Sequence, residues 1–94
     1  MNVAWHPLAR ADLAEAMTYI ATENPSAAYR IHDDIQKQTD RLATYPEIGR
    51  LGRVRGTREL VITGTPFVAA YRLACGVVTV LRLLHGARAW PRKL

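Results

Sequence analysis

The residues best suited to chemistry lie near the C-terminus, where an apolar, strand-like run ends in polar side chains. The run from 77 to 84 carries Arg82 and leads directly into His85 and Arg88. Histidine titrates near neutral pH and can act as a general acid or base. A nearby arginine can stabilise the charge that develops when a phosphodiester is attacked. The same strand end could instead bind an anion or only cap a sheet. Features elsewhere in the sequence are needed to distinguish these roles.

Cleavage of RNA without a metal needs a second proton-transfer group beside the histidine. The candidates are Glu59 and Tyr71, and nothing in the sequence places either of them next to His85. We therefore leave the catalytic residues unknown, with His85 and Arg88 as the candidates. The alternative role for His85 is a structural hydrogen bond at a sheet edge.

Two arginines, Arg72 and Arg82, lie within strands that are otherwise rich in apolar residues. Because a buried charge without a partner is costly, we expect both to face the open side of a sheet. The neighbours expected on that side are Val68 and Ala70 with Arg72, and Val78, Val80 and Leu84 with Arg82. Such a face is typical of a binding surface, although each arginine could instead lay its stem on the sheet and form a local salt bridge.

The positive charge of the chain is concentrated in its second half. The formal net charge is +5, yet the residues up to 47 are mildly acidic, and the bases after them are opposed only by Glu59. An arginine-rich half indicates an anionic partner, either nucleic acid or an acidic protein surface, unless water alone solvates the charges. The loop 50–56, with Arg50, Arg53 and Arg55, is either a phosphate patch or a solvated loop. No aromatic residue is interleaved with these arginines, so base stacking is not indicated there.

Composition predicts one small domain that spans residues 1–94. The chain is 49% hydrophobic, which supports a packed core. Its one cysteine, Cys75, cannot form an internal disulfide, and no Cys/His cluster has zinc spacing, so we expect neither a metal nor a cofactor. The N-terminus lacks the pattern of a signal peptide, and no apolar run approaches the roughly 20 residues of a membrane span. We therefore expect a cytoplasmic protein.

Hydrophobic periodicity predicts an α+β fold. Residues 2–5 alternate as a short strand, and apolar residues then recur every three or four positions as in amphipathic helices. A break at 23–26 separates two helices so closely that they must form a hairpin. The predicted elements are strand 2–5, helices 8–21 and 25–44, a basic loop 50–56, and strands 58–62, 67–73 and 77–84. Short connections between the last three strands require an antiparallel meander, with the helical hairpin packed on one face of the sheet.

Several segments, taken together, resemble the ParE/RelE toxin superfamily. They are residues 5–13 (WHPLARADL), 23–25 (ENP), 45–50 (YPEIGR), 56–61 (GTRELV), 71–72 (YR) and 81–88 (LRLLHGAR). Their order and spacing are specific, and the resemblance covers nearly the whole chain. It implies a helical hairpin over an antiparallel sheet, which agrees with the fold predicted from periodicity.

The resemblance also implies the toxin of a bacterial type II toxin–antitoxin pair, of the kind called plasmid stabilisation proteins. Such a toxin is neutralised by a small antitoxin, whose C-terminal segment wraps it near the helical hairpin and the sheet. On this basis we expect antitoxin contacts at Leu13, Met17, Arg58 and Arg72. DNA would be contacted only indirectly, through the antitoxin, and no membrane partner is expected.

The superfamily divides by target into RelE-like enzymes, which cut mRNA in the ribosome, and ParE-like inhibitors of DNA gyrase. Alignment by eye puts the middle-strand arginine of the cutters at Val68 and their C-terminal tyrosine at Leu94. Their last-strand arginine falls at Arg88, which ParE-like members share, and their paired loop lysines correspond only loosely to Arg53 and Arg55. Two cutting positions are thus absent, which favours the ParE-like branch.

The resulting prediction is a gyrase inhibitor, and whether the chain has catalytic activity of its own is left open. Its predicted target-binding residues are Arg72, Arg82, His85, Arg88 and Trp90. The alternative is a ribosome-dependent mRNA endoribonuclease that uses His85. A second alternative is a non-toxic remnant, or a module that only represses its operon together with a partner.

Overall fold

The computed structural model describes all 94 residues and contains two helices and one five-stranded sheet. The elements are β1 (Asn2–Trp5), α1 (Pro7–Glu23), α2 (Pro25–Asp40), a 3-10 turn (Arg41–Ala43), β2 (Arg50–Leu51), β3 (Arg58–Val61), β4 (Phe67–Ala74) and β5 (Val77–His85). The strand order is β1-β5-β4-β3-β2. The predicted α+β class, with a helical hairpin on one sheet face, is confirmed. Neither helix combines the length and the apolar character needed to cross a membrane.

Each helix of the hairpin begins with a side-chain cap followed by a proline. The Nδ1 atom of His6 accepts the N–H of Leu8 at 3.1 Å, and Pro7 opens α1. The Oδ1 atom of Asn24 accepts the N–H of Ala27 at 3.1 Å, and α2 opens with a proline in the same way. A proline at the first helical position loses no hydrogen bond, because that N–H has no partner within the helix. Asn24 alone separates the helices, so the chain must reverse there.

The sheet is antiparallel except at one edge. β4 and β5 form a hairpin whose turn residues, Cys75 and Gly76, have φ of 53° and 73°. Positive φ at both central positions matches the right-handed twist of the strands. β1 pairs in parallel with the first half of β5. The prediction that 50–56 is only a loop was wrong in part, because Arg50 and Leu51 pair with β3 as the edge strand β2.

A bulge in β5 changes which side chains face the helices. Ala70 pairs with Arg82 and Tyr71 with Val80, so Leu81 has no partner in β4. An extra residue reverses the alternation of side chains beyond it. Val78 and Val80 are therefore fully buried in the core under the helices. Their predicted position on the same face as Arg82 was wrong for this reason.

The main core lies between the helical hairpin and the sheet. Ile31 and Ile35 of α2 pack with Phe67, Ala69 and Leu83 of the two long strands. On the opposite side of the sheet no helix is present, and the C-terminal tail lies on that side, where Trp90 contacts Arg53 and Lys93 and Leu94 line a pocket with Arg72 and Arg82. The sheet therefore has one face closed by helices and one face, which we call the open face, partly covered by the tail.

Candidate functional site: the open face of the sheet

The open face carries a row of charged side chains set by strand register. Ala70 of β4 is paired with Glu59 of β3 on one side and with Arg82 of β5 on the other. Arg50 of β2 pairs with Glu59 in turn, and Arg72 follows Ala70 by two positions on the same face. Since paired residues in neighbouring strands point to the same side of a sheet, these side chains share one surface. The predicted placement of Arg72 and Arg82 on the open side agrees with this register.

Glu59 is the centre of a dense ion-pair cluster. Its Oε1 atom accepts from Nη2 of Arg50 at 2.9 Å, and its Oε2 atom accepts from the backbone N–H and Nε of Arg53 at 2.8 and 3.1 Å. Burial of this carboxyl, whose side chain is 2% exposed, raises its pKa, but the hydrogen bonds from Arg53 and Arg50 outweigh burial and lower the pKa to about 2. Glu59 is therefore ionised at neutral pH and is unsuited to proton transfer there.

Trp90 anchors the tail on this cluster. The guanidinium carbon of Arg53 lies 3.7 Å from the centre of the Trp90 ring, a cation–π contact. Arg53 thus bridges the Glu59 carboxylate and the indole. The Nε1–H group of Trp90 is buried without a hydrogen-bond partner. Trp90, predicted to bind a target, is half-buried against the protein itself.

Arg82 is tied to the first helix. Asp12 accepts from its Nε at 2.7 Å and its Nη2 at 2.9 Å, and also from the backbone N–H of Leu83 at 3.0 Å. Hydrogen bonding to Asp12 raises the pKa of Arg82. Beyond Val80 no strand pairs with the outer edge of β5. The helix α1 covers that edge, and Asp12 accepts the N–H of Leu83, which has no strand partner there. The alternative given for Arg82, a salt bridge within the protein, is therefore what the structure contains, but its partner Asp12 is 70 residues away in the sequence and had no local signal.

His85 lies apart from the arginines of the open face. It pairs in register with Phe67, whose side chain belongs to the helix-facing core, and their rings meet edge-on at 5.9 Å. Its Nδ1 atom accepts the N–H of Ala87 at 3.2 Å. Arg88 is exposed in the same turn and donates its backbone N–H to the carbonyl of His85 at 3.1 Å. The two catalytic candidates are thus neighbours, but neither Glu59 nor Tyr71 is held beside them by a hydrogen bond.

Tyr71 is committed to holding a loop. Its hydroxyl donates to the carbonyl of Pro46 at 2.7 Å and accepts the N–H of Gly49 at 3.0 Å. Burial raises its pKa. Arg58 donates to the carbonyls of Glu47 and Gly49 at 3.3 and 2.9 Å, so it braces the same loop. Arg58, predicted to contact an antitoxin, therefore has a structural role as well.

Two of the predicted antitoxin residues, Leu13 and Met17, lie on the helical side of the molecule. Met17 lines a groove of about 440 Å³ between α1 and α2, together with Ala28, Tyr29 and His32. Leu13 packs against the main core beside it. The predicted set thus divides into a helical part, Leu13 and Met17, and a sheet part, Arg58 and Arg72. No group of three or more His, Cys, Asp or Glu residues could hold a metal ion.

Comparison with known proteins agrees on one family. The model for the ParE toxin of the type II toxin–antitoxin system parDE matches residues 3–90. Toxin RelE2 of Caulobacter vibrioides is 41% identical over 87 residues, which cover 93% of this chain and 97% of that protein. The solved chromosomal ParDE system from P. aeruginosa superposes with a TM-score of 0.80 and 28% identity, over 88% of this chain and 92% of that one. The resemblance first drawn from sequence motifs is confirmed, and the chain belongs to the ParE toxin family of type II toxin–antitoxin systems.

Proposed function

We propose that this toxin inhibits DNA gyrase and is held inactive by a cognate antitoxin. The observation that supports the proposal is that the residues suited to proton transfer are already occupied by ion pairs or hydrogen bonds within the protein. Glu59 is ionised between two arginines. The Tyr71 hydroxyl already donates one hydrogen bond to the loop it holds and accepts another from it. His85 alone, with Nδ1 occupied, lacks the partner that metal-free RNA cleavage needs. Inhibition by binding requires no such group.

Exposed arginines on and beside the open face would make the target contact. Arg72 and Arg88 are exposed and belong to none of the ion pairs of the chain. Arg82, His85 and Trp90 would act mainly by fixing the strand end and the tail around them, because each is already engaged with the protein. The proposed surface is thus a rigid sheet with two free guanidinium groups at its rim.

The antitoxin would contact both faces. The groove beside Met17 is apolar enough to receive a nonpolar helix face, while Arg72 suits an acidic extended segment. Leu13 would support the groove from below, and Arg58 would contribute through the loop it braces. An acidic segment would also complement the basic second half of the chain.

A supercoiling assay with the purified chain tests this function. Excess toxin should abolish gyrase activity, and addition of the antitoxin should restore it. Arg88→Ala and Arg72→Ala should each weaken inhibition by about tenfold, the loss typical of a charge-assisted contact. Arg55→Ala, an equal charge change in the exposed loop, should leave inhibition unchanged. Full gyrase activity at excess toxin would contradict the proposal.

The second candidate function is ribosome-dependent mRNA cleavage. It is favoured by one feature, the turn that places His85 and the exposed Arg88 side by side. It predicts cut transcripts during growth arrest and the loss of both effects in His85→Ala. Intact transcripts during arrest would exclude it. Normal growth on induction of the chain alone would instead point to a non-toxic remnant or a co-repressor.

A further inference from the structure

A pocket of about 220 Å³ lies where the open face, the start of α1 and the end of the tail meet. Its polar lining comes from His6, Arg72, Arg82 and Lys93, which belong to four separate parts of the fold. Three leucine side chains fill the wall between them. The pocket is therefore lined by basic groups that converge from different directions, without a carboxylate side chain among them.

Most of these basic groups have unused donors. The four ion pairs of the chain join Lys37 to Asp33, Arg50 and Arg53 to Glu59, and Arg82 to Asp12. Arg72 and Lys93 are thus in none of them. Asp12 uses Nε and Nη2 of Arg82 and leaves Nη1 free. Leu94 also lines the pocket. Its α-carboxylate, an acceptor and not a donor, does not form any of the four ion pairs either.

His6 adds a fixed donor at the start of α1. Its Nδ1 atom accepts the N–H of Leu8, so the proton of the neutral ring must be on Nε2. The N-cap hydrogen bond that opens the helix therefore also sets the tautomer of the ring. Nε2–H is left as a donor for a ligand.

The tail completes the pocket through a contact some residues away. Trp90 rests on Arg53, which is itself held by Glu59. This anchor holds the tail on the open face, and Lys93, three residues further on, lines the pocket together with Arg72 and Arg82. The pocket thus depends on the docked tail and is not a feature of the sheet alone.

We propose that this pocket binds a phosphate group, carried either by a free phosphate or phosphomonoester or by a nucleic-acid backbone. A tetrahedral oxyanion has oxygens in several directions and can accept from donors that converge from four elements, whereas a carboxylate offers two oxygens in one plane. Arg72 supplies a planar fork and Lys93 a point charge, and neither belongs to an ion pair of the chain. The site lies away from the turn of His85 and Arg88 but shares Arg72 with the proposed gyrase-contacting surface, so its test measures phosphate binding in the absence of gyrase.

Calorimetric titration of the purified full chain with inorganic phosphate tests the site, at a constant ionic strength set by chloride. We expect one saturable site. Arg72→Gln and Lys93→Gln should each weaken phosphate binding by about tenfold or more. Arg55→Gln is the matched control, since it removes the same charge from an exposed loop outside the pocket. Thermal midpoints of the three variants should agree, because all three side chains are exposed.

Two further titrants distinguish the sources of the phosphate. If an oligonucleotide displaces phosphate and its binding depends on Arg72, the ligand is a nucleic-acid backbone. If a nucleoside monophosphate competes and the oligonucleotide does not, the ligand is a free phosphomonoester or phosphate. No saturable binding up to about 10 mM phosphate, tenfold above a millimolar dissociation constant, would overturn the proposal. Equal weakening by Arg55→Gln, or tighter Arg72-dependent binding of an acidic peptide, would overturn it too.

Discussion

At the scale of single residues, charges on the open face are fixed by partners that come from other elements. Glu59 of β3 holds Arg50 of β2 and Arg53 of the loop, and Asp12 of α1 holds Arg82 of β5. A buried carboxylate that loses its partners is costly, so such pairs specify where the elements meet more than they add net stability. The exposed cations that stay unpaired are then the ones available for binding.

Glu59 should make stability depend on pH in the acid range. Its pKa is lowered in the folded chain from 4.5 to about 2. The folded state therefore gains stability above about pH 4.5 and loses it as the pH falls towards 2, by up to about 3 kcal/mol. Glu59→Gln should be less stable at neutral pH and should lack this part of the acid dependence. Thermal midpoints of both chains between about pH 2 and 7 measure the difference.

Asp33→Asn is the matched control for Glu59→Gln, because Asp33 is an exposed carboxylate paired only with Lys37 within one helix. Exposed pairs of this kind contribute little to stability. The control chain should keep the midpoint at neutral pH and the acid dependence of the parent. An acid dependence that is identical in Glu59→Gln and the parent would show that Glu59 does not supply it.

At the scale of elements, the sequence predicted the helices and strands that have a regular hydrophobic pattern. It did not predict the short strand β2 or the bulge at Leu81. The helices and the three meander strands have clear periods and turn residues, such as Asn24-Pro25 and Cys75-Gly76. The two-residue strand β2 has no period, and its Leu51 is 79% exposed. The bulge at Leu81 leaves no mark on an apolar run, because the run is apolar on both faces. The strand pattern indicated the face on which Arg72 and Arg82 lie, but a partner across the fold, such as Asp12, had no local signal.

The loop before β2 depends on a close approach of backbone to Tyr71. A Cβ added at Gly49 would lie 2.6 Å from the Tyr71 ring and 2.9 Å from the carbonyl of Glu59. Gly49→Ala should therefore destabilise the chain by about 2 kcal/mol or more, because neither the ring nor the β3 backbone can yield without repacking. Chemical denaturation with urea measures this change in the free energy of unfolding.

Gly86→Ala provides the comparison for Gly49→Ala. Gly86 has a negative φ, and its added Cβ would meet other atoms only at 3.4 Å. Its substitution should cost much less, at about 0.5 kcal/mol or below, as for an ordinary surface change. Equal losses at the two glycines would mean that contact with Tyr71 is not what requires glycine at 49.

At the scale of the whole molecule, the two proposed binding regions differ in chemistry and lie on opposite sides of the sheet. The hairpin groove is largely apolar, while the open face presents arginines. A partner that wraps both would be steered by charge and retained by the groove, because charges mainly affect association and buried apolar contacts mainly affect dissociation. We therefore expect the basic half and the amphipathic hairpin to have separate parts in the proposed recognition of an antitoxin.

Two exposed tyrosines of the hairpin allow the groove to be tested. Tyr29 is 80% exposed and lines the groove, whereas Tyr19 is 75% exposed and lies outside it. Because an aromatic side chain buried on binding is often a hot spot, Tyr29→Ala should raise the dissociation rate of the antitoxin by about tenfold or more. Tyr19→Ala should change it less than about twofold, since a tyrosine left in water adds no contact. Surface plasmon resonance with immobilised antitoxin measures both rates. Equal effects of the two substitutions would place the antitoxin elsewhere than in this groove.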